Sequence, residues 1–129
     1  DPKLMVFDNL DEGSGSRTLK KILDMDEKPD GIFAANDVSA VSLMTELKRY
    51  GFRIPQDIAM VGFNNGHVSR IVEPELTTIH YPAVEMGRIA ASNLISLLDQ
   101  DNQVAAQSVM LKHELVVRGS SLRQQKTEK

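Results

Sequence analysis

Apolar residues along this chain fall into two rhythms. Residues 31–35 form a short apolar run, Gly31-Ile32-Phe33-Ala34-Ala35, that breaks off at Asn36 and Asp37. Ala40, Leu43, Met44, Leu47 and Tyr50 then recur at the spacing of one helix face, which predicts a helix over 37–50. Gly51 ends it, Pro55 sits in the following loop, and a second apolar run over 58–63 breaks off at Asn64 and Asn65. Gly62, just before that break, marks a place where the backbone approaches something closely. Strand, helix, strand with short loops implies parallel strands joined by a right-handed crossover. Both strand ends then lie on the same edge, where open α/β sheets bind ligands.

The flanking pattern extends this unit. Residues 3–7 (KLMVF) read as a strand that starts in mid-pattern, as if part of the fold stood upstream. Leu19, Ile22, Leu23 and Met25 give a helix from Ser14 or Ser16, the candidate N-caps, to about Glu27. Asp37 is the expected cap of the helix over 37–50. After a weak patch with one helical turn at 68–72, residues 77–81 form an extended crossing. Pro82 opens a helix to about Asp99, with Ala83, Met86, Gly87, Ala90, Leu94, Leu97 and Leu98 on one face. Residues 99–106 are a polar loop, 109–117 a strand, and 121–129 a disordered polar tail.

Composition changes this picture by exclusion. The chain has 129 residues, a net charge of -3 and no cysteine. An acidic balance argues against nucleic-acid binding by this chain alone, because Lys and Arg neutralising phosphates supply most nonspecific affinity. Without cysteine there is no disulfide, thiolate nucleophile or Cys-ligated zinc. No apolar run reaches the ~20 residues of a membrane span. His67, His80 and His113 share no metal-ligand spacing and read as loop or packing residues. Asp8, Asp11 and Glu12 resemble a Mg²⁺ or phospho-receiver cluster, but the lysine a receiver needs at a later strand end is replaced by Asn64-Asn65. Ser39, Ser42 and Thr45 have no base beside them, and no glycine-rich phosphate loop is present. No cofactor and no enzyme activity are expected.

The same residues carry a family resemblance. The blocks 30–37 (DGIFAAND), 51–65 (GFRIPQDIAMVGFNN), 74–79 (PELTTI), Gly87 and 115–120 (LVVRGS) closely resemble, in order and spacing, the effector-binding module of the lactose-repressor and galactose-repressor family of bacterial transcription regulators. The resemblance implies a type I periplasmic-binding-protein-like module of two α/β lobes joined by three crossings. Residues 1–76 and 107–120 would belong to the C-terminal lobe, as an open parallel sheet flanked by helices. Residues 77–106 would cross to the N-terminal lobe, leaving helix 82–99 without much of its packing. It further implies a small-molecule effector, a carbohydrate or related metabolite, and a homodimer through helices 14–27 and 37–50. Met44 and Leu47 would be either core or interface. Operator DNA would be bound only through an N-terminal helix-turn-helix outside this chain, in a cytoplasmic protein with no membrane contact. A transport-linked periplasmic sugar receptor is the alternative.

The candidate ligand residues are Asn36, Asn64, Asn65, Asp37, Asn9, Leu10, Tyr81 and Met86. An amide both donates and accepts, which suits a sugar hydroxyl, so Asn36 and Asn64 at the two strand ends rank first. Asn64 stands where the family commonly carries an Asp, and Leu10 where it often carries a stacking aromatic.

Overall fold

The computed structural model describes residues 2–99 and 108–123. Strands β1 (Gly31–Phe33), β2 (Ala59–Phe63), β3 (Thr77–His80) and β4 (Glu114–Val116) form one open sheet in that order. β1 runs parallel to β2, with Ile32 opposite Met60, and β2 parallel to β3, with Gly62 opposite Thr78. The helices are α1 (Ser14–Leu23), α2 (Asp37–Arg49), the single turn α3 (Val68–Ile71) and α4 (Ala83–Asp99).

The limits of α2 follow from its end residues. Asn36, in extended conformation, is the N-cap, and its Oδ1 accepts from the Ser39 N–H at 2.8 Å. The cap is therefore Asn36 rather than the expected Asp37, which is free to turn inward. Gly51 adopts φ +94°, and the Gly51 and Phe52 N–H groups close on Lys48 O and Leu47 O, each at 3.0 Å. Between these ends Ala40, Leu43, Met44 and Leu47 pack with Leu19 and Ile22 of α1 and with Ile58, Met60 and Leu76. Met44 and Leu47 are fully buried within the chain, so the choice between core and interface resolves to core. Tyr50, at the C-cap, leaves the stripe and is exposed.

Several local expectations are corrected. Residues 3–7 are not a strand. Pro2 has a fixed φ and starts a 3-10 turn over Pro2–Leu4, closed by the Met5 N–H on Pro2 O at 3.2 Å, which takes up the start of the run. Ser14 is the first helical residue of α1, and its hydroxyl donates to Asp11 O instead of capping. α1 stops at Leu23, before Met25. The last strand shrinks from 109–117 to Glu114–Val116, and Val109, Met110 and Val117 on either side of it are exposed with nothing to pack on. Residues 100–106 of the expected polar loop, residue 107 and residues 124–129 of the tail lie outside the described residues.

Ser120 is fully buried. Its Oγ accepts from the Thr77 N–H at 2.8 Å and donates to Met60 O at 2.6 Å, stitching the starts of β2 and β3 together. Three residues on, Arg123 Nε donates to Pro55 O at 2.9 Å.

By contact density the chain divides into Asp1–His80 with Leu115–Lys129, and Tyr81–Glu114. The first unit holds the core just described. In the second, Met86, Leu94, Leu97 and Leu98 of α4 are exposed.

Candidate functional site

Parallel pairing puts the C-terminal ends of β1, β2 and β3 on one edge, and the polar residues that follow each strand gather there. Asn36 follows β1, Asn64 and Asn65 follow β2, and His80 ends β3. Asn36 Nδ2 donates to Leu10 O at 3.3 Å, which brings the loop of Asn9 and Leu10 to the same edge. Asn9, Leu10 and Asn64 are exposed, whereas Asn36 and Asn65 are half-buried. Tyr81 and Met86 fall in the second unit, on the connection after β3 and on α4.

Asp37 lies beneath this edge and does not face it. It is 2% exposed. Its Oδ2 accepts from the Gly66 N–H and its Oδ1 from the Thr78 hydroxyl, both at 2.6 Å. Thr78 Oγ1 in turn accepts from the Asn65 N–H at 3.2 Å. One buried carboxylate thus ties the start of α2 to the loop after β2 and to β3. A Cβ on Gly62 would stand 2.4 Å from Asp37 Oδ1, which identifies the close approach that the glycine permits. Both oxygens of Asp37 are thus bonded to groups of the loop after β2 and of β3, beneath the exposed side chains of the edge.

The turn after β2 is held in an uncommon conformation. Asn64 and Asn65 have φ of 112° and 54°, which Asn tolerates better than most residues. The Asn64 N–H is fixed on Ile79 O at 3.0 Å. Arg118, with only 11% of its side chain exposed, fixes Asn65 by donating from Nη2 to Oδ1 at 2.7 Å. Its Nη1 also donates to Leu76 O at 2.7 Å and to Ser69 Oγ at 3.0 Å. Backbone groups left over by an irregular turn are satisfied this way, and the surroundings enforce the turn. Thr78 and Arg118 fall in the blocks 74–79 and 115–120 that carry the family resemblance, but their hydrogen-bond roles, like that of Ser69, could not be read there because their partners lie far along the chain.

The acidic loop is paired with Arg17. Arg17 donates from Nε to Asp8 Oδ1 at 2.8 Å and from Nη2 to Asp11 Oδ1 at 2.7 Å. The hydrogen bond from Arg17 holds the Asp8 carboxyl below its usual range. Among the described residues no three His, Cys, Asp or Glu side chains stand together as metal ligands. A cavity of about 410 Å³ runs along the free side of β1, lined by Leu4, Val6, Leu10, Ile22, Phe33 and Leu43 among others. It lies where residues 3–7 stand off instead of pairing with β1, and neither Asn36 nor Asn64 lines it. Asn9 and Leu10 of the edge also line it, as do Ala35 and Ser39 on either side of Asn36, so the cavity opens beside the β1 end of the amide edge.

Comparison with known proteins agrees with the fold. Residues 4–121 match the profile of the periplasmic binding protein-like domain. The chain is 32% identical over 123 residues to the HTH-type transcriptional repressor CytR of Escherichia coli, covering 94% of this chain and 35% of that protein. It is 30% identical over 122 residues to the HTH-type transcriptional regulator RegA of Clostridium saccharobutylicum, covering 95% of this chain and 36% of that protein. A transcriptional regulator CelR–cellobiose complex superposes with a TM-score of 0.86 at 28% identity, over 94% of this chain and 37% of that one. A LacI-type transcription regulator from Bifidobacterium animalis subsp. lactis gives 0.80 at 30% identity, over 90% and 41%. The chain thus spans about a third of the length of these curated relatives. No helix among the described residues is long and apolar enough to cross a membrane.

Proposed function

Because the chain belongs to the periplasmic binding protein-like domain family, we propose that it is the effector-binding part of a bacterial transcription regulator and supplies one wall of a cleft for a sugar or sugar-like molecule. The observation that carries this reading is the convergence of Asn36, Asn64 and Asn65 on one strand edge, underpinned by Asp37. Amides at the end of a parallel sheet can give and receive hydrogen bonds with uncharged hydroxyls. Asn9 and Leu10 border the same wall, while Tyr81 and Met86 belong to the crossing that would lead to an opposing lobe. Residues 1–76 then form the C-terminal lobe together with β3, which pairs with β2, and the excursion out of it starts at Tyr81 rather than at Thr77.

Operator recognition is assigned to a helix-turn-helix outside this chain, since a net charge of -3 disfavours phosphate binding by this chain alone. The HTH-type repressors among the relatives favour a regulator over a transport receptor. A homodimer would use the outer faces of α1 and α2, because the apolar stripe of α2 is spent inside the core. A thermal-shift screen of sugars, sugar acids and nucleosides on the full-length protein tests the function. We expect neutral sugars or nucleosides to raise the melting temperature by several degrees, since a ligand at 100 times its Kd stabilises by about 2.7 kcal/mol. A response to sugar acids alone would contradict an edge built of amides.

A further inference from the structure

We propose that His80 is a further ligand-contacting side chain of this edge, held as the neutral Nε2–H tautomer by a relay from Arg118 through Asn65. The inference rests on the reading of the edge as a sugar-type wall and adds to it the chemical class of ligand.

The relay begins at a nearly buried guanidinium anchored on Leu76 O and Ser69 Oγ. Guanidinium carries donors only, so the Asn65 atom 2.7 Å from Arg118 Nη2 is its carbonyl oxygen. That choice fixes the other end of the amide. Asn65 Nδ2, a donor only, stands 3.4 Å from His80 Nδ1, a long hydrogen bond in which Nδ1 accepts. An accepting Nδ1 places the ring proton on Nε2 and leaves the ring uncharged.

The location gives this tautomer a use. His80 ends β3 next to Ile79, whose carbonyl holds the Asn64 N–H, and it is exposed on the edge that carries Asn36 and Asn64. A neutral imidazole donating from Nε2 complements amides that donate and accept. The Arg118 guanidinium is taken up by Leu76, Ser69 and Asn65, and its Nε lies 3.5 Å from Glu75 Oε2, so its charge is already paired. An edge of this kind suits the hydroxyl and ring oxygens of a neutral sugar or nucleoside, whereas a carboxylate or phosphate calls for a cation facing outward.

Two measurements test the proposal. Long-range proton–nitrogen NMR of the chain at pH 8 is expected to show a pyrrole-type Nε2 and a pyridine-type Nδ1 for His80. Asn65→Asp keeps an oxygen for Arg118 but sets an acceptor before Nδ1, so the tautomer is expected to invert to Nδ1–H. In Asn65→Ala the ring should relax to the mixture of free imidazole. The same tautomer ratio in all three proteins would overturn the relay. In the selectively labelled full-length protein, D-glucose, D-ribose and cellobiose are then added in turn to high concentration. We expect the His80 ring and the Asn36 and Asn64 side-chain amides to shift together with at least one of them. Movement of the two amides without His80 overturns the role of His80 alone. Movement of none of the three overturns the reading of the edge, and the His80 contact with it.

Discussion

Asp37→Ala is expected to destabilise the domain by about 3–5 kcal/mol, since each hydrogen bond to a charged group contributes about 1.5–3 kcal/mol and two are lost together. The substitution strands the Gly66 N–H and the Thr78 hydroxyl, both now bonded to the carboxylate at 2.6 Å in a site 2% open to solvent. It also opens space against Gly62, where no side chain can fill the gap. Asp37→Asn, which keeps one acceptor, should fall between the two proteins. If Asp37 only capped α2, the loss would be about 0.5–2 kcal/mol. Urea denaturation at neutral pH separates these cases, and a loss below about 1 kcal/mol for the alanine variant would show that the carboxylate does not tie the edge together.

Gly15→Val is the second large effect, with an expected loss of about 2–4 kcal/mol from overpacking. A Cβ at this position would meet Ser42 Oγ at 2.4 Å and the Ser42 backbone C and O at 2.5 and 2.6 Å. Backbone cannot move aside as a long side chain can, so α1 and α2 must separate. Separation breaks the Gly15 N–H bond to Ser42 Oγ, 3.2 Å long, and loosens Leu19 and Ile22 against Leu43. Gly87→Ala in α4 is the control: nothing lies within 4 Å of its Cβ. There the substitution should be neutral or stabilising by up to about 1 kcal/mol, because Ala favours helix. Equal thermal shifts for the two variants would contradict the close α1–α2 contact.

These residues show where sequence reasoning reaches and where it stops. β1, α2 and β2 were legible because each is bounded by local chemistry: Asn36 at one end of the helix, Gly51 at the other, and apolar runs that stop at amides. Gly62 was legible as a close approach, although its partner was not. Residues 3–7 have strand composition, but pairing is decided by what lies alongside, and Pro2 diverts the run into a turn. Asp37 and Asn36 are both good caps by type, and which one turns inward is settled by Thr78, 41 positions away. Arg118 and Ser120 were visible as part of the block 115–120, but their partners, like that of His80, are brought near only by the fold. The candidate edge was thus visible as a set of strand ends, while the hydrogen-bond scaffold beneath it was not.

The central claim is that Asn36 and Asn64 form one wall of an effector cleft. Isothermal calorimetry of the full-length protein with the ligand that raises its melting temperature most tests this directly. Asn36→Ala and Asn64→Ala are each expected to weaken binding by about 1–3 kcal/mol, or roughly 5- to 150-fold, by leaving a ligand hydroxyl unpaired. Asn36→Ser, which keeps a capping oxygen for the Ser39 N–H, separates loss of the cap from loss of the contact. A weakened affinity in Asn36→Ser and in Asn64→Ala is the predicted result, and wild-type affinity in both would contradict the account.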